Sequence, residues 1–391
     1  MCRLEIGRRS AGAENSIHVA CKDKNCSDET IRKLIDEHGG ELLEERDVYG
    51  RVPLFYAIRR QVSLSVVQTL LDADPDSILK ADYCGELPLY MLFGPRVHPS
   101  ILEHILRTRP SLALFVEKRF SGSHTLLQRM CAQWMSTVRK AMNSQQDNNA
   151  PILPREMVRS DTALVNQWTK LVLLVQAAHN VASGPSNIDN IPELHAALQL
   201  PVQILPEGIR CQFVEMYPEQ AGIPMDSCHG ETSSSSDVCC AVLPLHYFLS
   251  DCHHRVKTSK ELKTKRAVIR MKRRRLKRSP VVIVPFHSSL LKSLVRAFPQ
   301  AASMKVQTTD NHCHFPLQVA ISTGTFDWDH GLRELVFANP SALSCKDGTT
   351  QLVPFLQETT QELDYNKKNL GTVYNLLRED PSVLATMVSM H

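Results

Sequence analysis

The sequence predicts an all-α chain: an α-solenoid of stacked helix-turn-helix repeats joined by short finger turns. Three observations predict it. Asp47-Val48-Tyr49-Gly50-Arg51-Val52-Pro53-Leu54 aligns with Asp82-Tyr83-Cys84-Gly85-Glu86-Leu87-Pro88-Leu89 at an offset of 35 residues. The same offset carries Leu70-Leu71-Asp72-Ala73-Asp74-Pro75-Asp76-Ser77 onto Ile105-Leu106-Arg107-Thr108-Arg109-Pro110-Ser111-Leu112. Two independent anchors sharing one period mark a repeat array. The composition agrees, because 43% hydrophobic residues with only 6% aromatic suits packed helices better than a β-sandwich.

Each element follows from its residues. Residues 1–27 precede the first recognisable unit and are expected to be a flexible N-terminal tail; the array is expected over residues 28–391. Asp-x-x-Gly supplies a turn, since glycine adopts positive φ without cost. Proline then opens the first helix of the unit, at Pro53, Pro88, Pro244 and Pro316, because the first turn leaves that amide unpaired anyway. This anchor recurs as Glu193-Leu194-His195-Ala196-Ala197, Pro244-Leu245-His246-Tyr247-Phe248 and Pro316-Leu317-Gln318-Val319-Ala320. Weaker copies are Gly122-Ser123-His124-Thr125-Leu126 and Gly348-Thr349-Thr350-Gln351-Leu352. In the second helix apolar residues fall three and four apart, as in Val67, Leu70 and Leu71, which is one helical face. A proline shortly afterwards ends that helix by pushing its predecessor out of the helical region. The second anchor returns at Pro218, Pro299, Pro340 and Pro381.

The unit of turn, helix, short link, helix and stop resembles the ankyrin repeat, whose period is about 33 residues and whose first helix opens with Thr-Pro-Leu-His. Pro244-Leu245-His246 keeps three of those four residues, and Leu194-His195 keeps two. The Thr slot holds Val52, Leu87, Leu243 and Phe315 instead, and a proline follows the second helix. That variant is similar to the divergent ankyrin-type proteins of unicellular algae. The resemblance covers roughly residues 28–390 and implies that His195 and His246 organise their repeats by hydrogen bonding.

Three polar insertions interrupt the array, at 143–160, 222–240 and 250–286. They are expected to be loops, because a stacked core tolerates no insertion. The last holds the sharpest feature of the chain. Between Arg255 and Arg278 stand 13 basic residues and one acid, Glu261, for a net +12; the whole chain is +4, so the remainder carries 4 − 12 = −8. Within the segment, Lys272, Arg273, Arg274, Arg275, Lys277 and Arg278 have the density of a nuclear import signal or an anion-binding patch. Leu262, Ile269 and Leu276 are spaced by seven, which also allows a basic amphipathic helix of the kind calmodulin binds. A solvated loop without function is the alternative.

No residue stands out as catalytic, and no cofactor is expected. Phosphate-binding glycine loops, the nucleophile elbow and the His-Glu-x-x-His pattern are all absent from the sequence. The Pro-Leu-His histidines lack a nucleophile at fixed spacing. Cys228, His229, Cys239, Cys240, His246, Cys252, His253 and His254 cluster, yet without the pair spacing of structural zinc sites. Cys21 and Cys26 form a lone pair, and Cys131 and Cys211 are expected to be buried as small apolar residues. Twelve cysteines without an apolar leader read as reduced thiols, placing the protein in the cytoplasm, the nucleus or both. Apolar runs are too short to span a bilayer, so no membrane is expected.

These readings converge on a non-catalytic protein-interaction scaffold or adaptor. Its partner would be an unidentified protein, with an import receptor engaging the basic loop. The alternative is a nucleic-acid-associated regulatory factor using residues 255–278, against which the acidic remainder argues, since a nucleic-acid groove needs a basic stripe. Calmodulin ranks behind the import receptor as a ligand of that loop.

Overall fold

The structure, a computed structural model, describes residues 15–116, 125–143, 153–183, 191–225, 242–252, 288–307, 313–359 and 368–382. Helix dominates them. Within what the sequence presented as one array, the chain gathers into two compact units: Met1–Ile191 with Leu200–Leu205, and Pro192–Gln199 with Pro206–His391.

Ten helices build the described part of the first unit: α1 (Ser16–Lys22), α2 (Asp28–His38), α3 (Glu41–Glu44), α4 (Pro53–Arg60), α5 (Leu64–Ala73), α6 (Pro88–Met91), α7 (Pro99–Thr108), α8 (Leu126–Asn143), α9 (Arg155–Ser160) and α10 (Thr162–Ser183). Helix α4 packs on α1, α5 and α6, while α5 packs on α2 and α7. Eight helices follow in the second unit: α11 (Glu193–Gln199), α12 (Glu207–Met216), α13 (residues 244–252), α14 (Ser288–Ala297), α15 (Pro316–Thr323), α16 (Arg333–Ala338), α17 (Pro354–Thr359) and α18 (Lys368–Glu379). There α12 packs on α11 and α14, α14 on α16, and α17 on α15 and α18. Strand among the described residues is confined to turns: Val306–Gln307 pairs antiparallel with Cys313–His314, and single bridges join Val116 to Thr125 and Met225 to Val242.

The expected helix starts are where proline puts them. Pro53, Pro88 and Pro316 each take the first helical position after an extended residue, Val52, Leu87 or Phe315. The repeat leucines Leu54, Leu70, Leu71, Leu89, Leu106, Leu245, Leu294, Leu317, Leu335 and Leu376 are all buried. The second proline does more than stop a helix. Pro75, Pro110, Pro218, Pro299 and Pro340 each open a 3₁₀ turn, namely Pro75–Leu79, Pro110–Leu114, Pro218–Gly222, Pro299–Ser303 and Pro340–Leu343. Proline is pre-set for helical φ and needs no donor at that position, so the chain re-enters helical space at once. Each turn delivers a small or aliphatic residue to the core: Ile78, Ala113, Ala221, Ala301 and Ala342.

The N-terminal expectation is corrected. Residues 15–27 do not belong to a flexible tail: α1 buries Ile17, His18 and Cys21 against α4, and Asn15 caps it through the His18 amide. Ile17-His18-Val19-Ala20 resembles the Leu-His-x-Ala stretch of α11, with His18 at the third helical position as His195 is. The insertions are narrower than expected. Asn143 closes α8, and Leu153 and Val158 of the expected 143–160 loop are buried. Gly222 ends a 3₁₀ turn, and residues 250–252 belong to α13 with Cys252 buried.

Helix α6 is cut to four residues, and the carbonyls that follow it draw donors from elsewhere in the chain. Three side chains supply them. Gln133 Nε2 donates to Phe93 O at 3.1 Å, Lys170 Nζ to Gly94 O at 2.8 Å and Asn166 Nδ2 to Pro95 O at 3.5 Å. Lys170 is fully buried on α10, and desolvation pushes its ammonium down to about 8.

Candidate interaction surface

The finger turns are built by buried aspartates. Asp47 Oδ1 accepts from the amides of Tyr49 and Arg51, both at 2.8 Å, and Asp82 Oδ1 accepts from those of Cys84 and Glu86 at 2.8 and 2.9 Å. Such short side chains bond the main chain two and four residues on and so fix the loop. Gly50 and Gly85 then turn the chain at φ of 77° and 83°. Tyr56 OH donates to Asp47 Oδ2 at 2.5 Å, and burial together with that bond pushes the phenol up to about 12. A third turn repeats the design at Asp347, whose carboxylate accepts from Thr350 N at 2.8 Å and from His314 Nδ1 at 2.6 Å. Burial opposes its charge, but these bonds win and hold the carboxyl below its usual range.

Successive turns are tied at the repeat spacing. Arg51 Nε donates to Asp82 Oδ2 at 3.2 Å, Arg46 Nη1 to Ala81 O at 2.6 Å, and Tyr83 N to Tyr49 O at 3.0 Å. This ladder presents two aromatic tips, Tyr49 at 45% and Tyr83 at 48% exposure. Tyr83 lies over Gly50, where a Cβ would come within 2.6 Å of its ring. The Arg51 guanidinium sits 5.1 Å from the Tyr49 ring centre and 4.6 Å from that of Phe55. The tips are therefore held in register by backbone and cation–π contacts, as rigid amphipathic anchors.

The predicted repeat histidines fall into a wider pattern. His246 Nε2 donates to Ala301 O at 3.0 Å and His195 Nε2 to Gln220 O at 3.3 Å; each carbonyl belongs to a proline-led 3₁₀ turn. The third residue of three other helices also donates to a remote carbonyl, in these cases one outside a 3₁₀ turn. Gln318 Nε2 donates to Cys345 O at 3.0 Å, Gln128 Nε2 to Gln203 O at 2.7 Å, and His18 Nε2 to Arg51 O at 2.9 Å. Both glutamines also accept from the amide three residues back, Phe315 N at 2.9 Å and Thr125 N at 2.8 Å. Pro244, like Pro53, Pro88 and Pro316, is buried at the start of its helix.

The basic cluster Lys272, Arg273, Arg274, Arg275, Lys277 and Arg278 lies outside the described residues, as do Cys228, His229, Cys239, Cys240, His253 and His254. Among the described residues, no three His, Cys, Asp or Glu side chains come together as a metal site. Burial pushes the thiols of Cys21, Cys131 and Cys211 up to about 12, which makes them weak nucleophiles. No described helix is long and apolar enough to cross a membrane. Sequence reasoning missed the turn aspartates' caps, the tyrosine tips, Lys170 and the buried acid Glu358. Of these, the tips had a signal, since Tyr49 and Tyr83 sit in the same stretch of the repeat. No known family profile matches the chain, and no curated protein matches it in sequence.

Proposed function

We propose that this chain is a non-catalytic protein-interaction scaffold built on ankyrin-like repeats, with the finger turns as its contact face. The observation that carries the reading is the pair of exposed tyrosines, Tyr49 and Tyr83, held one repeat apart on turns whose bonding is otherwise satisfied. Tyrosine is enriched at protein interfaces because it offers a large contact at small conformational cost. The repeat-spaced bonds from His18 to Arg51, Arg51 to Asp82 and His314 to Asp347 support the ankyrin-like reading. The basic segment 255–278 is proposed as an address read by an import receptor, which puts the scaffold in the nucleus as well as the cytoplasm.

The test is affinity capture with the intact chain, a Tyr49→Ala/Tyr83→Ala double variant and a deletion of residues 255–278, each checked for unchanged helical content. The double variant should lose its non-receptor partners, and the deletion should lose only the import receptor. Recovery of the same partners by the double variant removes the finger turns from consideration. Retention of nucleic acid by the intact chain, lost on deletion, would favour the nucleic-acid reading.

A further inference from the structure

In the second unit a carboxyl group is buried with no cation beside it among the described residues. Glu358, on α17, is 4% exposed, and its Oε2 is buried without a hydrogen-bond partner. An ionised carboxylate in that position loses its water and gains no donor, so the neutral acid is the form that packs. The charge that acts on it is of like sign: Asp327, in the link between α15 and α16.

Asp327 is itself part of a junction. Its Oδ1 accepts from His330 N at 2.9 Å and from His330 Nδ1 at 2.6 Å, capping the tight π-type turn Trp328–Leu332. That turn passes through Gly331 at φ 128°, where a Cβ would come within 2.3 Å of the Leu291 side chain. Its first amide, Trp328 N, donates to Thr372 Oγ1 on α18 at 3.3 Å. Helix α18 packs on both α17 and the turn that follows Asp327, and so joins the elements that carry the two carboxyl groups.

Among the described side chains, the surrounding charges are otherwise engaged or exposed. Helix α15 and the turn Pro340–Leu343 carry no ionisable side chain. On α18, Arg378 Nη2 pairs with Glu379 Oε1 at 2.9 Å, and Tyr374 is exposed. In the turn, Asp329 and His330 are exposed. On α16, Arg333 lies over Phe337, and Glu334 faces Lys292 at 3.6 Å.

We propose that Glu358 is a proton-operated latch: its neutral form lets α17 pack on α18 and α18 on the Asp327 turn, and its ionised form releases them. Burial first, and the Asp327 charge second, push Glu358 up to about 7, so the latch is set to work near neutrality. The sign follows from linkage. The folded acid holds its proton above the value of the free side chain, so the stabilisation is complete at low pH and is lost as pH rises through about 7.

The experiment is hydrogen–deuterium exchange of the full chain at a series of pH values from 5 to 8, corrected for intrinsic rates. Segments covering α17 and α18 are compared with segments covering α4 and α5. Opening of α17 and α18 should rise by up to about tenfold per pH unit below 7 and then level off. Glu358→Gln, neutral at every pH, should abolish that rise. Asp327→Asn should make it smaller and bring the plateau to lower pH. His330→Gln should leave it in place, which separates the buried acid from the exposed imidazole. A flat wild-type profile, or Glu358→Gln as steep as wild type, overturns the latch. Loss of the rise in His330→Gln but not in Glu358→Gln overturns it as well.

Discussion

Lys170 and Glu358 are opposite answers to burial without a counter-charge. Glu358 holds a proton it would lose in water, whereas Lys170 is drawn toward losing one it would keep. The consequence for Lys170 has a definite sign. Its folded value is about 8, against an ordinary 10.5. Between those limits the unfolded chain binds a proton that the folded chain does not, so this residue makes stability rise with pH. Below pH 8 its cost is constant. Denaturant midpoints measured from pH 7 to 10.5 should therefore show wild type gaining on Lys170→Met across the upper part of the range. Two parallel profiles would mean that Lys170 keeps its proton and that the Gly94 carbonyl compensates its burial in full.

At the scale of the helix pair, the third helical position is the recurring joint. Histidine at 18, 195 and 246 and glutamine at 128 and 318 each donate to a carbonyl remote in sequence. The two residue types share a donor at comparable reach. Accordingly His246→Gln should cost less than about 0.5 kcal/mol, whereas His246→Ala should cost roughly 2 kcal/mol by orphaning a buried carbonyl. Urea denaturation of the two variants decides it; equal losses would show that packing, not the bond, sets the cost.

This joint also explains what the sequence could and could not disclose. Pro53-Leu54 and Pro88-Leu89 were legible because proline and a buried leucine are both demanded by local geometry. Helix α1 was missed because Ser16 stands where proline would be and only Ile17-His18 carries the pattern. Gln318 stands in the histidine slot of the aligned anchor, but its role there, and that of Gln128 outside any anchor, was not legible, because hydrogen-bonding equivalence is a property of reach and not of residue name. The 3₁₀ turns were half-read: Pro75 was recognised as a stop, but the re-entry into helical space depends on burying Ile78, which is decided by packing. Glu358 had no local signal, since the same residue on an exposed face is an ordinary surface charge.

For the whole molecule, charge is divided as sharply as structure is repeated. A body of −8 carries a segment of +12 in residues 255–278. If that segment is an import signal, replacing Arg273, Arg274 and Arg275 with alanine should abolish nuclear enrichment of a fluorescent fusion while its helical content stays the same. An unchanged distribution would discard the import reading. Ser279-Pro280 follows directly, and a phosphate there would add roughly −1.5 to −2 beside the cluster and weaken its hold on an acidic receptor.

The ladder of finger turns has a consequence for how such a surface changes over time. The bonds that set its shape end on carbonyls and amides, or on the buried carboxylates of Asp47 and Asp82. The outward side chains of Tyr49 and Tyr83 lie on that framework, against the Arg51 guanidinium and over Gly50, while the bonds that shape it come from main-chain groups and buried residues. Mutation can therefore rewrite the tips one at a time while the framework stays intact, and drift at these positions is cheap. A surface of this kind can acquire and abandon ligands quickly, and the same separation makes it a ready host for grafted recognition residues.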